Sequence, residues 1–164
     1  MKRTWDIGPY WEDRCLNYGA AVAESYGRGA NEASRCVGVP GHDIALNPEE
    51  QAEGRRHEVG FCFAFGLDPE VHCNWEMKPD RGSVDITYGP IRVDIKGSSN
   101  PRARLMIWPS SKTHFFESTQ FNVLVFVRSH QARRHQEIIG WLTKDEFRER
   151  KIIAESGNLY DLTT

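Results

Sequence analysis

Asp85 stands nine positions before Asp94, and Asp94 two before Lys96, in two short stretches, Val84-Asp85-Ile86-Thr87-Tyr88 and Ile91-Arg92-Val93-Asp94-Ile95-Lys96. Each stretch alternates apolar and polar residues, the mark of a strand with one buried face. Gly89-Pro90 between them predicts a tight turn and an antiparallel hairpin. Side chains two apart point the same way, so Val84, Ile86, Ile91, Val93 and Ile95 are expected on the buried face. Asp85, Asp94 and Lys96 are then expected to share the other. Two carboxylates on neighbouring strands with an ammonium alongside form a hard-oxygen site suited to a divalent cation. Upstream, Glu58 falls on a helical stripe with Phe61, Cys62 and Phe65, which sets a third carboxylate at the edge of the core. A charge there needs a partner, and three carboxylates in one place repel one another unless a cation is present.

The elements that must position these groups are legible in outline. Asn47-Pro48-Glu49-Glu50 combines an N-cap, a proline at the first helical position and a Glu three residues on, which predicts a helix running to about Phe65, before Gly66. Its end, Val59 to Phe65, is apolar all round and so buried. Trp11, Cys15, Tyr18 and Val22 recur at helical spacing between Pro9 and Gly27, predicting an amphipathic helix over about residues 10–26. Residues 27–47 read as a loop. Further strands are expected at 104–108, 122–127 and 137–142, the middle one nearly free of polar residues and so central. Thr143-x-x-Glu146 is a capping box that should open a short helix through Arg150. The sum is a mixed α/β layer fold in a single domain spanning 1–164, with its core at about 47–142 and a C-terminal helix and tail over 143–164.

Glu58, Asp85 and Asp94-Ile95-Lys96, in this order, resemble the signature of the PD-(D/E)XK (restriction-endonuclease-like) nucleases. The resemblance spans roughly residues 47–142. Its flavour, Glu58 in an apolar helix end followed by Val93-Asp94-Ile95-Lys96-Gly97-Ser98, is similar to small stand-alone nucleases of phages and mobile elements. Asp80 behind Pro79 fits the letters of the family name, but it lies fourteen positions before Asp94, and Asp85 is preferred. The bare D/E-x-K pattern also occurs at Glu76-Met77-Lys78 and Glu149-Arg150-Lys151. Only Asp94 has an alternating strand, a hairpin carboxylate and an upstream helical Glu.

The resemblance implies a central mixed β-sheet flanked by helices and a Mg²⁺-dependent (Mn²⁺ substituting) endonuclease acting on DNA, with RNA as a further substrate class. It implies that Asp85, Asp94 and the Ile95 carbonyl hold the cation, with Glu58 completing the shell. The cation neutralises the scissile phosphate, activates a water and stabilises the leaving oxygen. Lys96 orients the attacking water and stabilises the transition state. A homodimer that cuts both strands is compatible with so small a chain. The runner-up is a non-catalytic nucleic-acid-binding or inhibitory protein on the same fold; a structural or assembly protein of a virus has only the chain's size in its favour. The plain structural alternative is a surface hairpin with an Asp/Lys face and Glu58 in a salt bridge to Arg55 or Arg92.

Other residues offer two readings each. Arg102, Arg104 and Lys112 could hold phosphates beside the cleavage site or form a solvated rim. Arg128, His130, Arg133, Arg134 and His135 read as a basic loop that tracks a nucleic-acid backbone or merely keeps the loop in water. His57 is a helper of Glu58 or a packing residue. Trp108, Phe115 and Phe116 stack on bases or fill the core.

The composition sets outer bounds. Of the 164 residues 39% are apolar and 14 more are glycine, a globular share that excludes disordered, collagen-like and membrane classes, and 21 basic against 23 acidic side chains give a formal charge of −2 that advertises neither nucleic acid nor a membrane. The total conceals a division. Residues 1–100 hold 11 basic and 16 acidic side chains, residues 101–135 hold six and one, and the last 29 hold four and six. An acidic metal site beside a basic strip is thus compatible with a near-neutral sum. Cys15, Cys36, Cys62 and Cys73 form no C-x-x-C pair, and His72 beside Cys73 lacks a second ligand pair, so free thiols in a reducing compartment are expected. No apolar stretch follows the basic residues at the start and Val123 to Val127 is too short to cross a bilayer. The expected location is cytoplasmic, in the bacterial host for a phage-encoded chain, with no membrane partner.

Overall fold

The structure, a computed structural model, describes residues 4–29, 47–76, 84–100, 106–107, 120–130, 134–150, 152–153 and 160–161. In chain order the elements are β1 (Thr4–Asp6), α1 (Gly8–Gly29), α2 (Pro48–Phe65), α3 (Pro69–His72), β2 (Ile86–Tyr88), β3 (Ile91–Ser98), β4 (Met106–Ile107), β5 (Val123–His130), β6 (His135–Thr143), α4 (Lys144–Arg150), β7 (Ile152–Ile153) and β8 (Tyr160–Asp161). The fold is mixed α/β, as expected.

α2 forms where its end signals place it. The Asn47 side chain accepts from the Glu49 and Glu50 N–H groups, and Pro48 occupies the first turn, where its missing N–H leaves nothing unpaired. Gly66 ends the helix at φ 67°, a left-handed conformation that a side chain would strain, with its N–H directed to the last carbonyls. α1 packs along α2, and Arg56, almost wholly buried, fastens the pair through Glu12 of α1 at 2.7 and 2.9 Å, while Glu49 of its own helix bonds it at 2.7 Å. The capping box is present as read: Thr143 N donates to Glu146 Oε2 at 2.8 Å and Glu146 N to Thr143 Oγ1 at 3.1 Å.

The main sheet runs β1-β6-β5-β3-β2; β3 and β5 are parallel and the other neighbours antiparallel. β5 is the central strand, and both its faces are covered. Val125 and Val127 join Val59, Cys62, Val93 and Ile95 under α2, while Leu124 and Phe126 meet Phe121 and Phe147 under α4. The hairpin's faces differ from the expectation. Ile86, Val93 and Ile95 are in the core, but Ile91 is 44% exposed and Val84 packs with the cluster on the opposite side. The reason is that the strand ends before Asp85, so the alternation no longer fixes where Val84 points.

Two more expectations change. Arg128 and His130 lie in β5 and His135 in β6, so three residues read as loop are in strands. The stretch is held by its own acids, His130 Nε2 meeting Glu137 Oε2 at 2.7 Å. The strand expected at 104–108 is represented by β4, which joins a separate three-stranded sheet, β4-β8-β7, and not the main one. β1 has no periodic signal at three residues; it pairs with β6 from Thr4↔Glu137 to Asp6↔His135. No helix among the described residues is long and apolar enough to cross a membrane.

Candidate active site

β2 and β3 pair at Tyr88↔Ile91, Thr87↔Arg92 and Ile86↔Val93. One step further Asp85 would face Asp94, but there the strands part. Instead, the Asp85 side chain reaches into the gap, and its Oδ2 accepts the backbone N–H of Ile95 at 2.6 Å. A carboxylate thus takes the place of a ladder carbonyl. In a strand, the N–H and C=O of one residue point to the same edge, so the Ile95 carbonyl faces this opening as well. Asp94, 4% exposed, points from β3 to the face of Leu124, its partner across the β3–β5 ladder, and Lys96 Nζ lies 2.8 Å from Asp94 Oδ2.

Glu58 arrives from α2. It is buried, and the Arg55 guanidinium one turn earlier pairs with its Oε2. Of the two partners the residues offered, Arg55 is the one used, since Arg92 is bonded to Gln120 at 2.5 Å. Arg55 is itself confined: its guanidinium carbon stands 4.2 Å from the Tyr18 ring centre and 5.6 Å from that of Trp75.

The groups sense one another's charge. Burial, and next Asp94, push the Asp85 carboxyl up to about 6 against the pull of Lys96. Burial also pushes Glu58 well above its ordinary value, with Arg55 opposing and Asp85 adding to the rise. For Lys96, burial disfavours the charge, yet Asp94, Asp85 and Glu58 outweigh it and hold the ammonium above its usual value. Lys96 is therefore a cation at neutral pH, able to donate hydrogen bonds and unable to act as a base.

Asp85 opens onto a cleft of about 620 Å³ whose walls include His72, Cys73, Trp75, Val84 and Thr87. Trp75 is stacked 5.9 Å from Trp11, and its Nε1 donates to the Pro69 carbonyl at 3.0 Å, so it is a fixed wall. Cys73 Sγ lies 3.8 Å from Cys62 Sγ; Cys15, Cys62 and Cys73 are all free thiols. The Cys62 contact and burial push the Cys73 thiol far up, which makes it inert. Neither Trp75 nor Cys73 belongs to a periodic pattern that would have marked it as a cleft residue, whereas Arg55 was visible as a cation three positions before Glu58.

Among the described residues, no three His, Cys, Asp or Glu side chains form a ready cation cage. At two of the three carboxylates a cation of the protein already stands, Arg55 on Glu58 and Lys96 on Asp94. His57, adjacent to Glu58, turns the other way and bonds Ser129 Oγ at 2.9 Å beneath the sheet, so it takes the packing role. Arg134 is clamped by Asp6 through two bonds, at 2.9 and 3.0 Å, at the end of β5 remote from Asp94. Arg102, Arg104, Lys112 and Arg133, and likewise Trp108, Phe115 and Phe116, lie outside the described residues. Comparison of the chain with protein-family models, curated proteins and solved structures finds no match in any of the three.

Proposed function

We propose that the protein is a metal-dependent nuclease of the PD-(D/E)XK type, hydrolysing phosphodiester bonds in DNA. One observation carries the reading: at the parting of β2 and β3, a carboxylate replaces a backbone acceptor within electrostatic reach of a second carboxylate paired with a lysine. A structural hairpin gains nothing from this, because it forfeits a ladder bond and raises the acid's own pKa to about 6. The donor set is all hard oxygen and fits Mg²⁺ or Mn²⁺.

In this reading Asp85, Asp94 and the Ile95 carbonyl hold the cation, and Glu58 completes the set. When bound, the cation neutralises phosphate charge and makes a water acidic enough to attack. Asp85 keeps its orientation through the Ile95 N–H. Lys96, protonated and tied to Asp94, directs its remaining donors to the non-bridging oxygen on which negative charge grows. Trp75 and the other cleft walls limit the approach of a strand to Asp85.

The second reading is a non-catalytic nucleic-acid-binding or inhibitory protein, and it too has an observation behind it: Glu58 and Asp94 are each already paired with a cation. Incubation with supercoiled, linear, single-stranded and branched DNA, and with RNA, in Mg²⁺, Mn²⁺ or EDTA separates the two. The expected result is cutting that EDTA stops and that Asp94→Ala and Lys96→Ala both abolish with unchanged circular dichroism. Cutting that survives in both variants overturns the site, and binding without any cutting supports the second reading.

A further inference from the structure

The Arg55–Glu58 pair differs from an ordinary buried salt bridge in three respects. The Arg55 side chain is 91% buried, Glu58 faces the charge of Asp85 as well as that of Arg55, and the Arg55 Nε is buried without a hydrogen-bond partner. A guanidinium has five donors in a fixed fork, and one left unpaired in the interior is unfavourable. The flat faces, by contrast, are well used, with Tyr18 at 4.2 Å and Trp75 at 5.6 Å. Arg55 is thus held by its rings along a short track and satisfied incompletely at its end. Such a cation neutralises Glu58 while nothing else does, and it competes directly with any other cation for that carboxylate.

We propose that Arg55 is an exchangeable counter-ion, a positioning residue that closes Glu58 in the metal-free protein and withdraws along the Tyr18 and Trp75 rings when a divalent cation takes the carboxylate. The inference rests on the metal-site reading and deepens it. It explains why the three acids form no ready cage, since one is held back until the cation arrives. It also assigns Trp75 a purpose: its ring senses where the guanidinium stands, and it borders the cleft that opens on Asp85.

The sign of one mutation separates this from a merely structural pair. If Arg55 competes with the cation, Arg55→Met should tighten Mn²⁺ binding roughly tenfold, a common size for coupling between two ligands of one group. If Arg55 only holds Glu58 in place, the same change should weaken binding. Arg55→Lys keeps the buried charge, and with it the fold, but has no planar face to stack; it should bind Mn²⁺ more tightly than the wild type by a smaller factor. Binding is read by titration calorimetry and by the electron-spin resonance of free Mn²⁺, with tryptophan emission recorded alongside. Mn²⁺ should shift the emission of the wild type, and the shift should vanish in Trp75→Phe. Wild-type protein that binds no Mn²⁺ overturns the metal site itself. Wild-type binding with equal or weaker binding by Arg55→Lys overturns the counter-ion exchange and leaves the site standing.

Discussion

His57 and Glu58 are consecutive residues of α2, and both are buried, yet they enter different kinds of polar surroundings. His57 meets mainly dipoles: its Nε2 lies 2.9 Å from Ser129 Oγ, which donates to Gln136 Oε1 at 3.3 Å, with Glu53 Oε1 3.8 Å from the same nitrogen. Beside it Gly97 gives up its side chain, because a Cβ there would sit 2.1 Å from His57 Nδ1. Glu58 meets charges: Arg55 closes it, Asp85 repels it, and beyond Asp85 stand Asp94 and Lys96. Around Glu58 two internal cations, Arg55 and Lys96, stand against three acids, and Glu58 and Asp85 hold protons more tightly than they would in water. Unrelieved like charge, more than polarity alone, is what singles out the carboxylate cluster as the candidate site.

This contrast can be broken at several points. The largest difference is expected between Lys96→Ala, which should lower the cutting rate on the order of 10³-fold, and Ser129→Ala, which should leave it unchanged. A comparable loss in Ser129→Ala would place the His57 group in the catalytic apparatus after all. Next, Gly97→Ala should destabilise by about 3 kcal/mol in urea denaturation, because His57 and the strand have to move apart. Asp85→Asn should act in the other direction. The folded protein keeps the Asp85 proton up to about pH 6 and the unfolded chain releases it near 3.8, so folding takes up a proton between these values. Stability therefore falls as pH rises from about 4 to 6 and is level above. Asn, which still accepts from Ile95 N–H, should remove that fall and raise stability at pH 7 by about 1 kcal/mol, the effect being screened by water in the cleft. A less stable Asp85→Asn at pH 7 would show that the carboxylate is structural. Smallest of all, Arg134→Ala should change stability by under about 1 kcal/mol, since its pair with Asp6 is exposed. DNA affinity that drops in that variant would enlarge the site to the far end of β5.

Legibility in the sequence followed the range of the forces involved. α2 could be read to the residue because Asn47, Pro48 and Gly66 act within one turn of its ends. The hairpin could be read from its alternation and turn, though not the parting at Asp85, where a side chain overrides the ladder. The register brings Asp85 only to the neighbourhood of Asp94, since the ladder stops at Ile86↔Val93. The pairing of Arg55 with Glu58 was visible only as one of two choices, since Arg92 was equally near in type and its capture by Gln120 depends on chain 28 residues away. β1 was invisible, being three residues long and made by contact with β6. The reading of the basic stretch at 128–135 went astray because like-signed residues suggest a loop, whereas His130 and His135 face each other across a ladder with Glu137 and Asp6 at hand.

The parallel pairing of β3 with β5 has a consequence for how the molecule acquires its chemistry. Val93 meets Val123 and Ser98 meets Arg128, so thirty residues of chain must be looped back before this ladder can form. The hairpin can bring Asp85 to Ile95 within a few residues and needs no such search. Glu58 can join only after α2 has settled on a sheet that includes β5. Two of the acids are thus assembled early and the third waits on the slowest, least local step of folding. In the metal-site reading proposed above, a half-folded chain binds the cation weakly, and the rate at which tight binding appears after dilution from urea times the completion of the sheet.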